Sequence, residues 1–380
     1  MLIRSAVSKF KLMAPYVLPN GLVLRNRMML GALTRTRSDP KSHCITDLNV
    51  EYYGMRTGFG LIVTEAAAVS PQGFGWYGAP AMYHETHLPG WTDLVNTVHK
   101  RGGKVFAQLS HMGRQAHSSF CTNDEVVSAS ANRLEGRLRN SRGEQVEFEV
   151  PRAIETREIS GIINEFTHAA WLAKRAGFDG IDILAGNGYL IDQFLQSKTN
   201  QRTDQYGGSI ENRARFLFEL LDALEVVWSP SHIGLRLSPN GVFGGMGSPD
   251  NFTQFTYTID ELNKRRGQLA YLHVANDSRE NHGLSRIITY ADIRRVYSGT
   301  IVANGSYSRD TAEAAIQCGD VDLVAFGRST ISNPDLPERF LHDSPIEPEA
   351  PRQVWWTAAA GAHGYTTYRP YEASRAEPLQ

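Results

Sequence analysis

The chain has little cysteine, no long apolar run and no excess of either charge. Its three cysteines, Cys44, Cys121 and Cys318, are odd in number. They lack the paired spacing of a zinc site or a C-x-x-C redox motif, and a reducing compartment is expected. No stretch approaches the roughly 20 consecutive apolar residues that a bilayer-crossing helix needs, so no membrane partner is expected. Lys+Arg 39 stand against Asp+Glu 40 for a formal net charge of -1. That balance removes the global field that recruits nucleic acid or an anionic membrane, and leaves a small molecule as the default partner. His111, His168 and His273 show no ligand spacing, and no metal is expected. The first stretch, MLIRSAVSKFKLMAP, is basic and free of acids. Mitochondrial presequences share that composition with the basic tails of many cytosolic chains, and cytoplasmic residence is the expectation.

What is present is a repeated alternation of strand and helix over 380 residues. Short apolar, β-branched runs lie at 27–33, 61–65, 104–109, 180–184, 233–238, 270–275, 300–304 and 322–326, each followed sooner or later by a helical pattern. After Ser160, Ile162, Ile163, Phe166, Ala170, Ala173 and Ala176 share one helical face, and Gly177 supplies a stop. A second helix begins near Ser209, and Asn333-Pro334 reads as an N-cap with proline in the first turn. Eight such units predict an α/β fold, a single-domain (β/α)8 TIM barrel spanning 1–380. Residues 112–157 are polar and too long for a simple loop, which predicts a cap inserted after strand 3. The aromatic tail VWWTAAAGAHGYTTYRPYE is expected to pack back on the body.

In such barrels the reactive groups gather at the C-terminal ends of the strands. Thr34 ends the first, Ala66 follows the second, Gln108 lies near the end of the third, and Asn187 and Tyr189 follow the fourth. Gly305 with Ser306 and Gly327 with Arg328 follow the seventh and eighth, the two loops that commonly take phosphate. Glycine admits close backbone approach and Arg328 adds a charge-assisted clamp; each glycine alone fits a tight turn equally well. Arg236, inside an apolar strand, needs a partner. A cofactor that becomes negatively charged supplies one, and an inward carboxylate such as Glu65 is the alternative. Gln108 both donates and accepts, which suits a ring with mixed edges. One phosphate, such a ring and an arginine at a negative edge together describe flavin mononucleotide, FMN.

These residues lie in stretches that carry a resemblance over nearly the whole chain: GLVLRNRMMLGALTRTRS, LIVTEAAAVSPQG, AQLSHMGRQA, GNGYLIDQFLQSKTNQRTDQYGGSIENRARF, GLRLSPNGVF, FGRSTISNPDLPERF and GAHGYTTY. The chain resembles the Old Yellow Enzyme family of FMN-dependent ene-reductases. The resemblance implies that Thr34 bonds the flavin edge, that Ala32 and Ala66 let the ring approach backbone, and that Gln108 and Arg236 hold the pyrimidine side. It places Gly305, Ser306, Gly327 and Arg328 at the phosphate. Asn187 matches the second member of a His-x-x-Asn or His-x-x-His pair that binds the substrate oxygen, and Tyr189 matches the tyrosine that supplies a proton, the alternative being a core plug. Tyr365 or Tyr368 is placed over the substrate.

Three positions depart from the family pattern. Leu184 stands where the first histidine of that pair is usual, Ala32 where proline is common, and Ser110 where some members have tryptophan. The resemblance implies an NADPH dehydrogenase that reduces activated C=C bonds of α,β-unsaturated carbonyls, nitro compounds or quinones, with a prostaglandin endoperoxide as a further acceptor. Leucine cannot donate a hydrogen bond. The alternative is therefore a flavoprotein that binds phenols or steroids with little turnover; a hydroxy-acid-oxidising FMN barrel is disfavoured for want of a matching histidine base. Monomer and homodimer both fit.

Overall fold

Strands that are buried on both faces are apolar along most of their length, and the eight runs become strands for that reason. The computed structural model describes residues 10–121, 125–266, 268–276, 284 and 286–371; residues 1–9 of the basic first stretch lie outside them. The strands are β1 (Met28–Leu30), β2 (Leu61–Val63), β3 (Val105–Ser110), β4 (Gly180–Ala185), β5 (Ile233–Leu237), β6 (Tyr271–Ala275), β7 (Ile301–Asn304) and β8 (Leu323–Phe326). All neighbours pair in parallel, and β8 closes on β1 to complete the barrel. Inside, Met29, Leu61, Val63, Phe106, Tyr271, Val302, Leu323 and Ala325 form one cluster, with Leu18 and Leu24 of an N-terminal hairpin packed against it. The alternate residues face a larger cluster shared with the helices.

The helices are α1 (Asp47–Gly54), α2 (Leu88–Lys100), α3 (Ile159–Ala176), α4 (Ile210–Leu224), α5 (Asn251–Arg266), α6 (Tyr290–Val296), α7 (Arg309–Gln317) and α8 (Leu336–His342), with shorter helices between them. The expected apolar stripe of α3 is buried, and the helix ends at Gly177, whose φ of 90° closes it in the left-handed conformation. Ser209 caps α4 by accepting from the Asn212 amide. The cap expected at Asn333 is corrected: α8 starts after Asp335. The Asn333 side chain instead donates to the Ser329 and Glu347 carbonyls at 2.9 and 3.0 Å, and so ends a short helix and fastens the chain that follows.

Residues 112–157 carry a hairpin, Arg137–Arg139 with Gln145–Glu147, and a parallel pair, Val127–Ser128 with Arg152–Ala153. Arg114 ties this segment to the loop after β5, donating to the Asn132 and Gly244 carbonyls at 3.0 and 2.9 Å. The C-terminal tail does pack back. Arg35 donates to Gly364 at 2.8 Å and Arg37 to Val354 at 3.0 Å, and both guanidinium groups lie over the Tyr365 ring. Among the described residues no helix is long and apolar enough to cross a membrane.

Candidate active site

Above the apolar barrel interior lies a polar layer. Asp182, on β4, is fully buried; it accepts from Gln108 Nε2 on β3 at 2.7 Å and from the Tyr271 hydroxyl on β6 at 2.8 Å. Burial raises its pKa, and the two hydrogen bonds and Arg236 pull it back. One N–H of Gln108 Nε2 is committed to Asp182, which fixes the amide's orientation and leaves its carbonyl oxygen without a donor among the described residues. Parallel register sets Leu184 of β4 beside Arg236 of β5, and Arg236 beside His273 of β6.

Arg236 is 9 % exposed, and its guanidinium makes no hydrogen bond or ion pair with any described residue; Nε is buried without a partner. Both His273 ring nitrogens are likewise buried and unpaired. Burial, then the Arg236 charge, lowers the His273 pKa, so the ring is neutral and adds no second positive charge beside Arg236. The alternative partner Glu65 is used elsewhere, accepting from the Arg35 and Thr36 amides at 3.0 and 3.1 Å. Asp182 is the carboxylate whose charge Arg236 feels, without an ion pair forming.

The loop after β4 turns sharply. Asn187 has φ 57° and Gly188 φ 71°, and a Cβ at Gly188 would meet the Phe243 carbonyl oxygen at 2.7 Å. Asparagine tolerates this left-handed conformation and glycine is needed beside it. The Ser238 hydroxyl donates to Asn187 Oδ1 at 3.1 Å, which leaves Nδ2 as a donor with no acceptor among the described residues. Asp192 holds the turn by accepting from the Gly188 amide at 2.8 Å. Tyr189 is 5 % exposed and clusters with Leu184, Ala66, Met112, Ala116 and Val126. Its hydroxyl accepts from Trp76 Nε1 at 3.1 Å. Burial pushes the phenol up to about 12, against the opposing pull of Trp76 and Arg236.

The remaining expected residues fall around this group. Ala32 and Thr34, both half-buried, follow β1, and Ala66 sits between β2 and its short continuation Ala67–Ala68, which pairs with the end of β3. Gly305 and Gly327 follow β7 and β8, half-buried; Ser306 and Arg328 beside them are exposed. The Arg328 guanidinium lies 5.2 Å from the Trp355 ring centre. Tyr365 is corrected. It is fully buried, stacked on Tyr52 with ring centres 4.2 Å apart, and accepts from Asn49 Nδ2 at 3.0 Å, so it belongs to the wall behind the β1 loop. The tail's approach to the site is made by Trp356, 5.9 Å from Trp76. Sequence reasoning missed both tryptophans; the signal for Trp76 was an aromatic run between glycines, GFGWYG at 73–78, directly downstream of β2.

A ring with a pyrimidine edge fits these residues. The unpaired buried guanidinium calls for an anionic edge, the Gln108 oxygen for an N–H, and the glycines after β7 and β8 leave backbone accessible to a phosphate.

The sequence profile of the NADH:flavin oxidoreductase / NADH oxidase family matches residues 11–347. The chain is 33% identical over 358 residues to 12-oxophytodienoate reductase 2 of Arabidopsis thaliana, covering 92% of this chain and 93% of that protein. It is 34% identical over 372 residues to a probable flavin mononucleotide-dependent alkene reductase of Leishmania infantum, covering 95% and 99%. An old yellow enzyme homologue from Zymomonas mobilis superposes with a TM-score of 0.90 at 32% identity, covering 95% of this chain and 100% of that one. Morphinone reductase in complex with tetrahydroNAD superposes at 0.88 with 36% identity, covering 96% and 99%.

Proposed function

The chain belongs to the NADH:flavin oxidoreductase / NADH oxidase family, the family of Old Yellow Enzyme, and on that premise we propose that it is an NADPH-dependent ene-reductase for α,β-unsaturated carbonyls, nitro compounds or quinones. The observation that carries the reading is the buried Arg236 guanidinium, which makes no hydrogen bond or ion pair with any described residue. When bound, FMN supplies two-electron storage, exchanging hydride between a nicotinamide and the β-carbon of an activated alkene. Thr34, Gln108 and Arg236, with the backbone at Ala32 and Ala66, hold the ring; Gly305, Ser306, Gly327 and Arg328 hold the phosphate. Residues 112–157 serve as the cap that excludes water.

The substrate oxygen gathers negative charge as hydride arrives, and Asn187 Nδ2 donates to it; the Ser238 bond to Oδ1, which leaves Nδ2 as the donor, supports this role. Tyr189 Oη gives its proton to the α-carbon; with its pKa at about 12 the phenol is protonated at neutral pH. Leu184 removes the second donor and presents an apolar wall instead. That wall supports a second reading, a phenol- or steroid-binding flavoprotein with little turnover. Cytoplasmic residence as a monomer or homodimer accompanies either.

Anaerobic stopped-flow measurements test the proposal. NADPH should bleach the flavin faster than NADH, and an enone should restore the oxidised spectrum faster than buffer alone. Reoxidation at one rate with and without enone would support the binding protein instead.

A further inference from the structure

Tyrosine hydroxyls both donate and accept, so a buried phenol paired with another hydroxyl can point its proton either way. Indole Nε1–H only donates. The 3.1 Å contact from Trp76 Nε1 therefore fixes the Tyr189 oxygen as acceptor, and the Tyr189 proton has no acceptor among the described residues. Tyr189 packs in a cluster with Leu184, Ala66, Met112, Ala116 and Val126, all apolar, and the charge that acts on its phenol, that of Arg236, is a cation that accepts nothing, so the substrate is the group left to receive the proton. Trp76 is itself held by Trp356, 5.9 Å away, which packs edge-on against Trp355 at 5.4 Å with the Arg352 guanidinium 5.6 Å from its ring.

We propose that Trp76 is a positioning residue for proton delivery: its indole N–H aims the Tyr189 hydroxyl proton into the cavity and stabilises the oxygen once the proton has left. The inference rests on the ene-reductase reading. In the step concerned, the Tyr189 Oη–H bond breaks, and the electron pair of the carbanion left by hydride addition forms the new C–H bond. The phenolate keeps the O–H pair, is held by the Trp76 donor, and is reprotonated from water. An N–H aimed at a buried phenolate offsets part of the desolvation that burial imposes, the direction already present in the free enzyme. With Leu184 giving nothing to the substrate oxygen, the carbanion is poorly stabilised and prompt protonation matters more in this chain.

Two measurements on the holoenzyme test this. In Trp76→Phe, with FMN content and melting temperature checked, enone turnover should fall about tenfold and a solvent deuterium isotope effect on it should grow. Turnover of a quinone, whose protons go to oxygen and exchange with water, should hold. Equal loss with both acceptors, or no loss, would overturn the proposal. The second readout needs no turnover: in 15N-tryptophan-labelled protein the Trp76 indole proton, identified by its absence in Trp76→Phe, should shift upfield in Tyr189→Phe. An unmoved resonance would overturn the contact. Wild-type protein that reduces no enone while its indole resonance shifts as expected would contradict the ene-reductase reading and leave the contact standing.

Discussion

Replacing Leu184 with histidine puts back the donor that the fourth strand lacks, and the structure sets the size of the effect. Leu184 is 3 % exposed, lies against Ala66 and Tyr189, and is level with Arg236 on the next strand. Burial and a neighbouring guanidinium both disfavour an imidazolium, as the pKa of His273 on the other side of Arg236 illustrates, lowered first by burial and then by the Arg236 charge. The introduced ring is therefore neutral and donates one N–H. One donor aimed at a developing oxyanion contributes roughly 3 kcal/mol, about a hundredfold in turnover. Burying that ring in an apolar cluster costs about 1–3 kcal/mol of stability, so the melting temperature should drop by several degrees even as activity rises. Enone and quinone turnover in the two proteins, normalised to bound FMN, is the assay. The enone-to-quinone ratio should rise well above the wild-type value. An unchanged ratio in fully loaded Leu184→His would refute the claim that this leucine limits carbonyl polarisation.

Other perturbations read other parts of the account. Arg236→Met removes the positive charge proposed to face the cofactor and should lower the FMN midpoint potential by on the order of 50 mV, read by spectroelectrochemistry; a charge at contact distance is worth a few kcal/mol, and an unchanged potential would separate Arg236 from the flavin. Asp192 has a folded pKa of about 7 against an ordinary 3.8, raised first by burial. The folded state therefore binds more protons than the unfolded one, and this group's contribution to stability is full below about pH 4 and is lost as pH rises through about 7. Urea titrations from pH 4 to 8 should show that slope flattened in Asp192→Asn; an identical slope would contradict it. Tyr365→Phe removes the acceptor for Asn49 and should cost about 1 kcal/mol of stability with enone KM unchanged; a raised KM would return Tyr365 to the substrate pocket.

The barrel was legible because its strands are buried on both faces and its longest helices carry one clear stripe; those signals are local and strong. The cap at Asn333 misled because asparagine before proline has the same local pattern whether its amide serves the helix behind or ahead, and the deciding partner, the Glu347 carbonyl, is distant in sequence. The need of Arg236 for an anion is legible in its strand, but that Glu65 is already engaged by the Arg35 and Thr36 amides, and that Asp182 is the nearby carboxylate, depends on contacts between strands and loops distant in sequence. Tyr365 was misplaced for a related reason: an aromatic tail has no periodicity to orient it, and three guanidinium groups, those of Arg35, Arg37 and Arg56, draw its Tyr52–Tyr365 stack into the wall. Trp76 escaped because a loop aromatic acquires meaning only through the hydroxyl it meets, 113 residues further on.

The visible absorption spectrum of the purified chain, before and after addition of a para-substituted phenol, tests the central claim most directly. Seating of FMN over Arg236 and Gln108 predicts a yellow protein, and a long-wavelength charge-transfer band when a phenolate stacks on the ring beside Asn187. Folded protein that is colourless and remains so when FMN is supplied would contradict it.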